Sequence, residues 1–223
     1  MLLDPLFKDR NHAGIELAKS IQVEINQLKT TYPNAHLIVY ALPRGGIPVA
    51  KPVANLLKCP LHIIVSKKIT FPENPELALG AVTSDGNIIW CEEDVFFHKT
   101  MNEQKAALDL AQAKAQSQSA IFAHYGAKVN IQGAIAIIID DGIATGMTMA
   151  AAALSIRSQQ PVYILICAPV APKSLIPWLG QWADQLIILH SPERFFNVGR
   201  FYANFSQVET AQALAQLAAD HSE

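Results

Sequence analysis

Ala136-Ile137-Ile138-Ile139-Asp140-Asp141-Gly142-Ile143-Ala144-Thr145-Gly146-Met147-Thr148-Met149 passes from an unbroken apolar run into two acids and a small-residue loop that opens a helix. A strand covered on both faces reads as a continuous apolar run, whereas a half-exposed one alternates. The start of a helix offers unpaired backbone N–H groups and a partial positive charge to an anion. Gly142 and Gly146 let the chain turn and approach a ligand closely, and the hydroxyls of Thr145 and Thr148 can donate to phosphate oxygens. Asp140 and Asp141, acceptor-only when ionised, suit the vicinal hydroxyls of a ribose or the water shell of a divalent cation. One segment can therefore hold both ends of a ribose phosphate. It is not a P-loop, which needs Gly-Lys-Ser/Thr where this chain has Gly146-Met147-Thr148.

A second strand-like run, Leu37-Ile38-Val39-Tyr40-Ala41-Leu42, empties into Pro43-Arg44-Gly45-Gly46-Ile47-Pro48 and an apolar helical stretch through Leu57. An arginine followed by two glycines combines a fixed guanidinium fork with unhindered backbone N–H groups, which suits a diphosphate. Alone, Arg-Gly-Gly would read as a loop with a surface arginine; it gains meaning beside the later motif. Pro48 fits a first helical turn, while Pro52 is expected to kink or shorten the helix.

Ile15, Ala18, Ile21, Ile25 and Leu28 recur at helical spacing and predict an N-terminal amphipathic helix. Strands are expected near 37–42, 61–66, 135–139, 162–168 and 185–189, with helices near 47–57, 146–158 and 173–179. This alternation implies an α/β fold, a parallel Rossmann-like sheet wrapped by helices. Ligands in such sheets sit beyond the carboxyl ends of the strands, where both phosphate-suited loops emerge. Residues 67–134 interrupt the alternation. They are expected to hold a hairpin, 79–83 with 87–91 around Asp85-Gly86-Asn87, and a long flanking helix from about 94 to 122. The segment from Ser191 to Tyr202 is aromatic-rich and precedes a terminal helix at 207–219.

The Asp140–Thr148 string resembles the 5-phosphoribosyl-1-diphosphate (PRPP) motif of type I phosphoribosyltransferases: apolar strand, two acids, two apolar residues, then small-Thr-Gly-x-Thr. The opening Phe7-Lys8-Asp9-Arg10-Asn11-His12-Ala13-Gly14, the middle Pro75-Glu76-Leu77-Ala78-Leu79-Gly80-Ala81 and the closing Phe196-Asn197-Val198-Gly199-Arg200-Phe201-Tyr202-Ala203-Asn204-Phe205 are similar to a little-characterised bacterial branch of that family. The resemblance covers most of the chain and implies a single type I phosphoribosyltransferase domain over 1–223, with a helical insertion and a small hood at 191–223.

It also implies a set of roles. Asp140 and Asp141 would hold the ribose hydroxyls, with Mg2+ met indirectly, through water or PRPP. Ala144, Thr145, Gly146, Met147 and Thr148 would hold the terminal phosphate, and Gly142 would also contact the substrate. Arg44 and Gly45, with Lys67 or Lys68, would bind the diphosphate leaving group, making Arg44, Lys68, Asp140 and Asp141 the catalytic set. Lys68 through Pro75 would be the mobile loop that closes over the reaction centre and excludes water. Phe195 or Phe196 could stack on a flat acceptor base or simply pack on the core.

The implied reaction is Mg2+-dependent transfer of the 5-phosphoribosyl group from PRPP to a nitrogen acceptor, nucleobase-like, with release of diphosphate. Hypoxanthine-guanine enzymes place an acid where this chain has Ala144, whereas adenine and uracil enzymes carry Ala-Thr-Gly there. A base could come instead from Glu73 or Glu76, although a loop carboxylate is more often only solvated. A PRPP- or nucleotide-binding sensor without catalysis and a nucleotide phosphohydrolase remain the alternatives, since fold alone does not choose among them.

Composition bounds these readings. With 223 residues, 51% of them hydrophobic, the chain can bury a proper core. A net charge of −2 and the lack of a Lys/Arg-rich run argue against nucleic acid as partner. No apolar run reaches the roughly 18 to 20 residues of a membrane span, and Asp4, Lys8, Asp9 and Arg10 crowd the short apolar start, so a cytoplasmic location is expected. Cys59, Cys91 and Cys167 are odd in number and widely spaced, which suits buried apolar positions better than a disulfide framework or zinc site. Apolar positions on the N-terminal and insertion helices leave a homodimer open.

Overall fold

The computed structural model describes residues 5–71, 74–91, 100–123 and 129–218. Its chain order is α1 (Arg10–Thr31), β1 (Leu37–Ala41), α2 (Gly46–Leu57), β2 (Leu61–Ile63), β3 (Ser66–Phe71), β4 (Asn74–Thr83), β5 (Ile88–Trp90), α3 (Met101–Ile121), β6 (Ile135–Ile139), α4 (Met147–Arg157), β7 (Tyr163–Val170), α5 (Ile176–Leu179), β8 (Gln185–His190) and α6 (Thr210–Ala218). Five strands form one sheet in the order β2-β1-β6-β7-β8, and every adjacent pair is parallel.

Side chains of a strand point alternately to its two faces, and both faces are apolar here. Val39, Ala41, Ile137, Ile139, Leu165 and Cys167 pack toward α1, α2 and α6. Ile38, Tyr40, Ala136, Ile138, Ile164 and Ile166 pack toward Met149, Ala152, Ala153 and Ile156 of α4. That double covering explains why β1 and β6 are buried at every position. The sheet order reverses at the β1–β6 boundary, since β2 lies to one side and β6 to the other. A crevice forms at such a switch point beyond the strand ends, and it separates the loop carrying Arg44 from the loop carrying Asp140 and Asp141.

α2 runs through Pro52 to Leu57 without being shortened. The proline ring lies against α1, where a Cβ on Gly14 would fall 3.0 Å from Pro52 Cγ and 2.5 Å from the Val49 carbonyl oxygen. The two helices thus approach too closely for any side chain at position 14.

The insertion departs most from expectation. The segment read as a mobile loop, Lys68 to Pro75, is strand on both sides of residues 72–73: Ser66–Phe71 pairs antiparallel with Asn74–Thr83, with register shifts near Thr70. β5 adds a third strand, as the Asp85-Gly86-Asn87 turn suggested. Ile69, Phe71, Leu79 and Val82 bury against Ala107 and Ala111 of α3, which overrides the turn-like Pro and Asn residues. The first expected turns of α3 lie outside the described residues; its described start is Thr100, whose hydroxyl accepts from Glu103 N–H while the Glu103 carboxylate accepts from Thr100 N–H, a capping box. β2 ends at Ile63 rather than 66, because Ser66 already belongs to the insertion sheet. The stretch 173–179 divides into a 3-10 turn, Lys173–Leu175, and the short α5.

Candidate active site

The crevice is built from three segments. From the end of β1, Pro43 and Arg44 are joined by a cis peptide bond, and Arg44 Nη1 donates to Thr210 Oγ1 of α6 at 3.1 Å. Gly45 then packs directly under the second loop: a Cβ there would fall 2.0 Å from Asp141 Oδ2. Gly46 likewise leaves room for the Ile139 carbonyl oxygen, 2.7 Å from where its Cβ would stand. The two glycines of Arg-Gly-Gly are therefore required by the close approach of the β1 and β6 loops.

From the end of β6, Asp141 N–H donates to Asp140 Oδ1 at 2.8 Å, folding the first carboxylate back over the turn. Burial, with the neighbouring charge of Asp141, holds the Asp140 carboxyl well above the usual carboxylate range. Burial also raises Asp141, against the opposing pull of Arg10. The loop continues through exposed Ala144 and Thr145 to Gly146, whose φ of 77° favours glycine and whose Cβ would meet Trp178 at 2.7 Å. No side chain caps α4, so its first N–H groups have no capping partner and can take an anion. Met147 differs from the others in the loop. Its side chain is buried among Ala81, Ile89, Ala150 and Ala151, which leaves only its backbone for a ligand.

The third segment joins the two ends of the described chain. Phe7 bridges to Tyr202, and Tyr202 Oη donates to the Asp141 carbonyl oxygen. Arg10, the first residue of α1, donates from Nε to Asp141 Oδ2 at 2.6 Å, with both side chains nearly buried. Its Nη1 donates to the Ser206 carbonyl oxygen at 2.7 Å, and the Phe205 ring lies 3.8 Å from Cζ. A cavity of about 450 Å3 opens between Arg10, Arg44, Gly45, Asp141, Phe205 and Gln207.

The site residues expected from sequence thus divide. Arg44, Gly45, Asp140, Asp141, Gly142, Ala144, Thr145, Gly146 and Thr148 all lie on the two loops that leave β1 and β6 or at the start of α4. Lys67 and Lys68 lie on β3, where consecutive side chains take opposite faces. Lys67 is partly buried, and burial together with the positive charges of Arg44 and Lys114 lowers its ammonium below the usual lysine range. Lys68 is exposed. Lys67 thus lies within the field of Arg44. Phe195 stacks on Phe201 at 5.7 Å, and Phe196 is 74% exposed, with the Arg200 guanidinium 4.9 Å from its ring. The aromatics at the site are instead Tyr202, bonded to the Asp141 carbonyl oxygen, and Phe205, against Arg10 on the cavity wall. Glu73 and the side chain of Glu76 lie outside the described residues.

Sequence reasoning assigned no role to Arg10, Tyr202 or Phe205. The signal was their occurrence in the two terminal stretches that carry the family resemblance, which the Phe7–Tyr202 bridge, the neighbouring backbone bonds and the Arg10–Phe205 contact bring together.

Among the described residues no group of three or more His, Cys, Asp or Glu side chains could hold a metal by itself. The carboxylate pair, with one Asp141 oxygen already bonded to Arg10, fits a divalent cation that arrives with a substrate and is met through water or hydroxyls. No helix among the described residues is long and apolar enough to cross a membrane.

Comparison with known proteins agrees with this geometry. Residues 9–178 match the family model of the phosphoribosyl transferase domain. Two proteins of Mycobacterium tuberculosis, "Putative phosphoribosyl transferase MT0597" of strain CDC 1551 / Oshkosh and "Putative phosphoribosyl transferase Rv0571c" of strain H37Rv, are each 34% identical over 220 residues, 97% of this chain. The chain spans 47% of the length of each, about half. The crystal structure of TT1426 from Thermus thermophilus superposes with a TM-score of 0.75 at 27% identity, covering 96% of this chain and 98% of that one. An α/β sheet with a switch point between two phosphate-suited loops, and a family model that matches from the start of α1 into α5, place this chain in the phosphoribosyl transferase family, with the type I fold.

Proposed function

We propose that the chain binds PRPP with Mg2+ and transfers its 5-phosphoribosyl group to a nitrogen acceptor, nucleobase-like in character, with release of diphosphate. The observation that carries this reading is the contact of Gly45 with Asp141: the Arg-Gly-Gly loop and the acid-pair loop close on each other at the sheet's switch point, so an anion on one lies beside hydroxyls on the other.

Each residue then has a physical task. The backbone N–H groups at the start of α4, with the hydroxyls of Thr145 and Thr148, hold the terminal phosphate of the substrate. Asp140 and Asp141 accept from the ribose 2- and 3-hydroxyls and so fix the anomeric carbon in the cavity. Arg44 and Lys67 neutralise the departing diphosphate; Lys68, on the opposite face of β3, contributes charge only from the rim. Bound with the diphosphate, Mg2+ supplies further neutralisation of the leaving group. Electrostatic positioning of this kind is often the largest catalytic term, with single donors worth about 3 kcal/mol in other enzymes. Ala144 brings no acid to the acceptor side, which favours acceptors whose nucleophilic nitrogen needs no carboxylate base from this loop.

Calorimetric titration with PRPP tests the reading. Asp140→Asn combined with Asp141→Asn is expected to abolish measurable binding; unchanged affinity would remove the acid pair from the site. Diphosphate release that depends on one member of a purine, pyrimidine and amine panel would identify the acceptor class. Tight binding without release across the whole panel would make the chain a PRPP sensor, and phosphate release from nucleotides without acceptor would make it a phosphohydrolase.

A further inference from the structure

Arg10 is the most tightly held cation at the site, and the phosphoribosyl reaction as outlined gives it no part. Its guanidinium is fixed on three sides: by Asp141 Oδ2 at 2.6 Å, by the Ser206 carbonyl oxygen at 2.7 Å and by the Phe205 ring 3.8 Å from Cζ. Asp9 anchors the backbone beneath it, its carboxylate accepting from His12 N–H at 2.8 Å as the cap of α1. Only 11% of the Arg10 side chain is exposed. An arginine carries five N–H donors in a rigid fork and stays charged at every relevant pH. The ion pair and the carbonyl bond use two of these donors, and the side chain lines the same cavity as Arg44 and Gly45.

This arrangement bears on the divalent cation. A metal that approached Asp141 by way of Oδ2 would meet a resident positive charge there, and two cations on one carboxylate oxygen repel strongly where water is scarce. Arg10 is not a mobile surface residue that could simply leave, because the stacking and the Ser206 bond would be lost with the ion pair.

We propose that Arg10 is a built-in counter-charge of the acid pair that takes over at Asp141 the neutralising place of a divalent cation, so that binding of a ribose diphosphate has a metal-independent component. The proposal rests on the PRPP reading above. It confines Mg2+ to the diphosphate itself and makes Arg10 a positioning residue, one that acts on the ribose through Asp141.

The test is calorimetric binding of PRPP to wild-type protein, Arg10→Gln and Arg10→Lys, each with excess Mg2+ and with EDTA at matched ionic strength, with thermal unfolding to confirm that each variant is folded. Removing Mg2+ is expected to weaken wild-type binding by less than about tenfold, because charge-assisted bonds from fixed arginines remain. Arg10→Gln is expected to bind within about tenfold of wild type in Mg2+ and at least about a hundredfold more weakly in EDTA, as a buried carboxylate loses its partner. Arg10→Lys, which keeps charge but not the fork, should fall between them. Equal losses for Arg10→Gln in both conditions would make the residue a structural prop and overturn the proposal. So would wild-type binding that vanishes in EDTA, a result that needs no variant. Absence of wild-type binding in both conditions would instead overturn the PRPP reading, and this proposal with it.

Discussion

Replacing Gly45 by alanine isolates the contact on which the site depends. Gly45 has φ −62° and ψ −34°, an ordinary right-handed conformation that alanine adopts without strain. Any cost must therefore come from the new methyl group, which would stand 2.0 Å from Asp141 Oδ2, 2.6 Å from its Cγ and 3.1 Å from its Oδ1. Asp141 cannot swing aside freely, because Oδ2 is bonded to Arg10 at 2.6 Å. Either the carboxylate rotates and breaks that pair or the two loops move apart. Forcing an extra methyl into a packed site costs about 1–3 kcal/mol. In a domain of this size that is a fall in Tm of roughly 2 to 12 °C, and if the strain falls on the binding geometry it weakens PRPP about 5- to 150-fold. Gly180→Ala is the control: with φ −60° it is also right-handed, and its Cβ would lie 3.5 Å from the Ile176 carbonyl oxygen, an ordinary contact. Differential scanning calorimetry and PRPP titration on both variants read the two effects separately. If Gly45→Ala melts and binds like wild type while Gly180→Ala does the same, Asp141 does not lie against the Arg-Gly-Gly loop and the reasoning fails.

Burial and charge elsewhere lead to further expected outcomes. His62 is 7% exposed and its Nε2 has no hydrogen-bond partner among the described residues; burial lowers its pKa. The unfolded chain then takes up the proton more readily, so stability is fully present above the unfolded value near 6.5 and is lost as pH falls through the lowered folded value. His62→Gln should flatten the fall in Tm between pH 7 and 5, and an unchanged slope would contradict this. Asp140 titrates the other way: its raised folded pKa makes its contribution complete below the unfolded carboxylate value and lost as pH rises. Asp140→Asn should therefore melt higher than wild type at pH 7.5, with the difference vanishing toward pH 4; a lower Tm at pH 7.5 would refute a destabilising carboxylate. Ile137, fully buried at the centre of β6 between β1 and β7, should cost about 2–5 kcal/mol when cut to alanine, measured by urea denaturation. A loss below about 1 kcal/mol would mean that β6 is not the central strand.

The sheet was legible because its strands are apolar on both faces: the runs at 37–42 and 135–139 could be little else, and the loops after them carry glycine, threonine, arginine and paired acids in an order that few structures need. In the insertion the hairpin at 79–83 with 87–91 and the long helix were legible, whereas the strands that stand in place of the expected mobile loop were not, for a physical reason. Pro72, Asn74 and Pro75 carry strong turn signals, yet Ile69, Phe71, Leu79 and Val82 form a small core with α3 that holds both flanks as strands. Gly80, inside the strand expected at 79–83, is the place where the Ile89 carbonyl oxygen passes 2.2 Å from the position of a Cβ. Met147 sits inside the phosphate motif, and only tertiary packing reveals that its side chain points into the core. Arg10 could not be found by local reasoning at all: an arginine beginning a helix looks like a solvated charge, and its partner is 131 residues away.

The most direct test of the central claim is magnesium-supported PRPP binding measured by calorimetry on the wild-type chain, followed by diphosphate release against the acceptor panel. The account predicts one-site binding that is abolished by Asp140→Asn with Asp141→Asn, and release of diphosphate that requires an acceptor. Failure of wild-type protein to bind PRPP would contradict it.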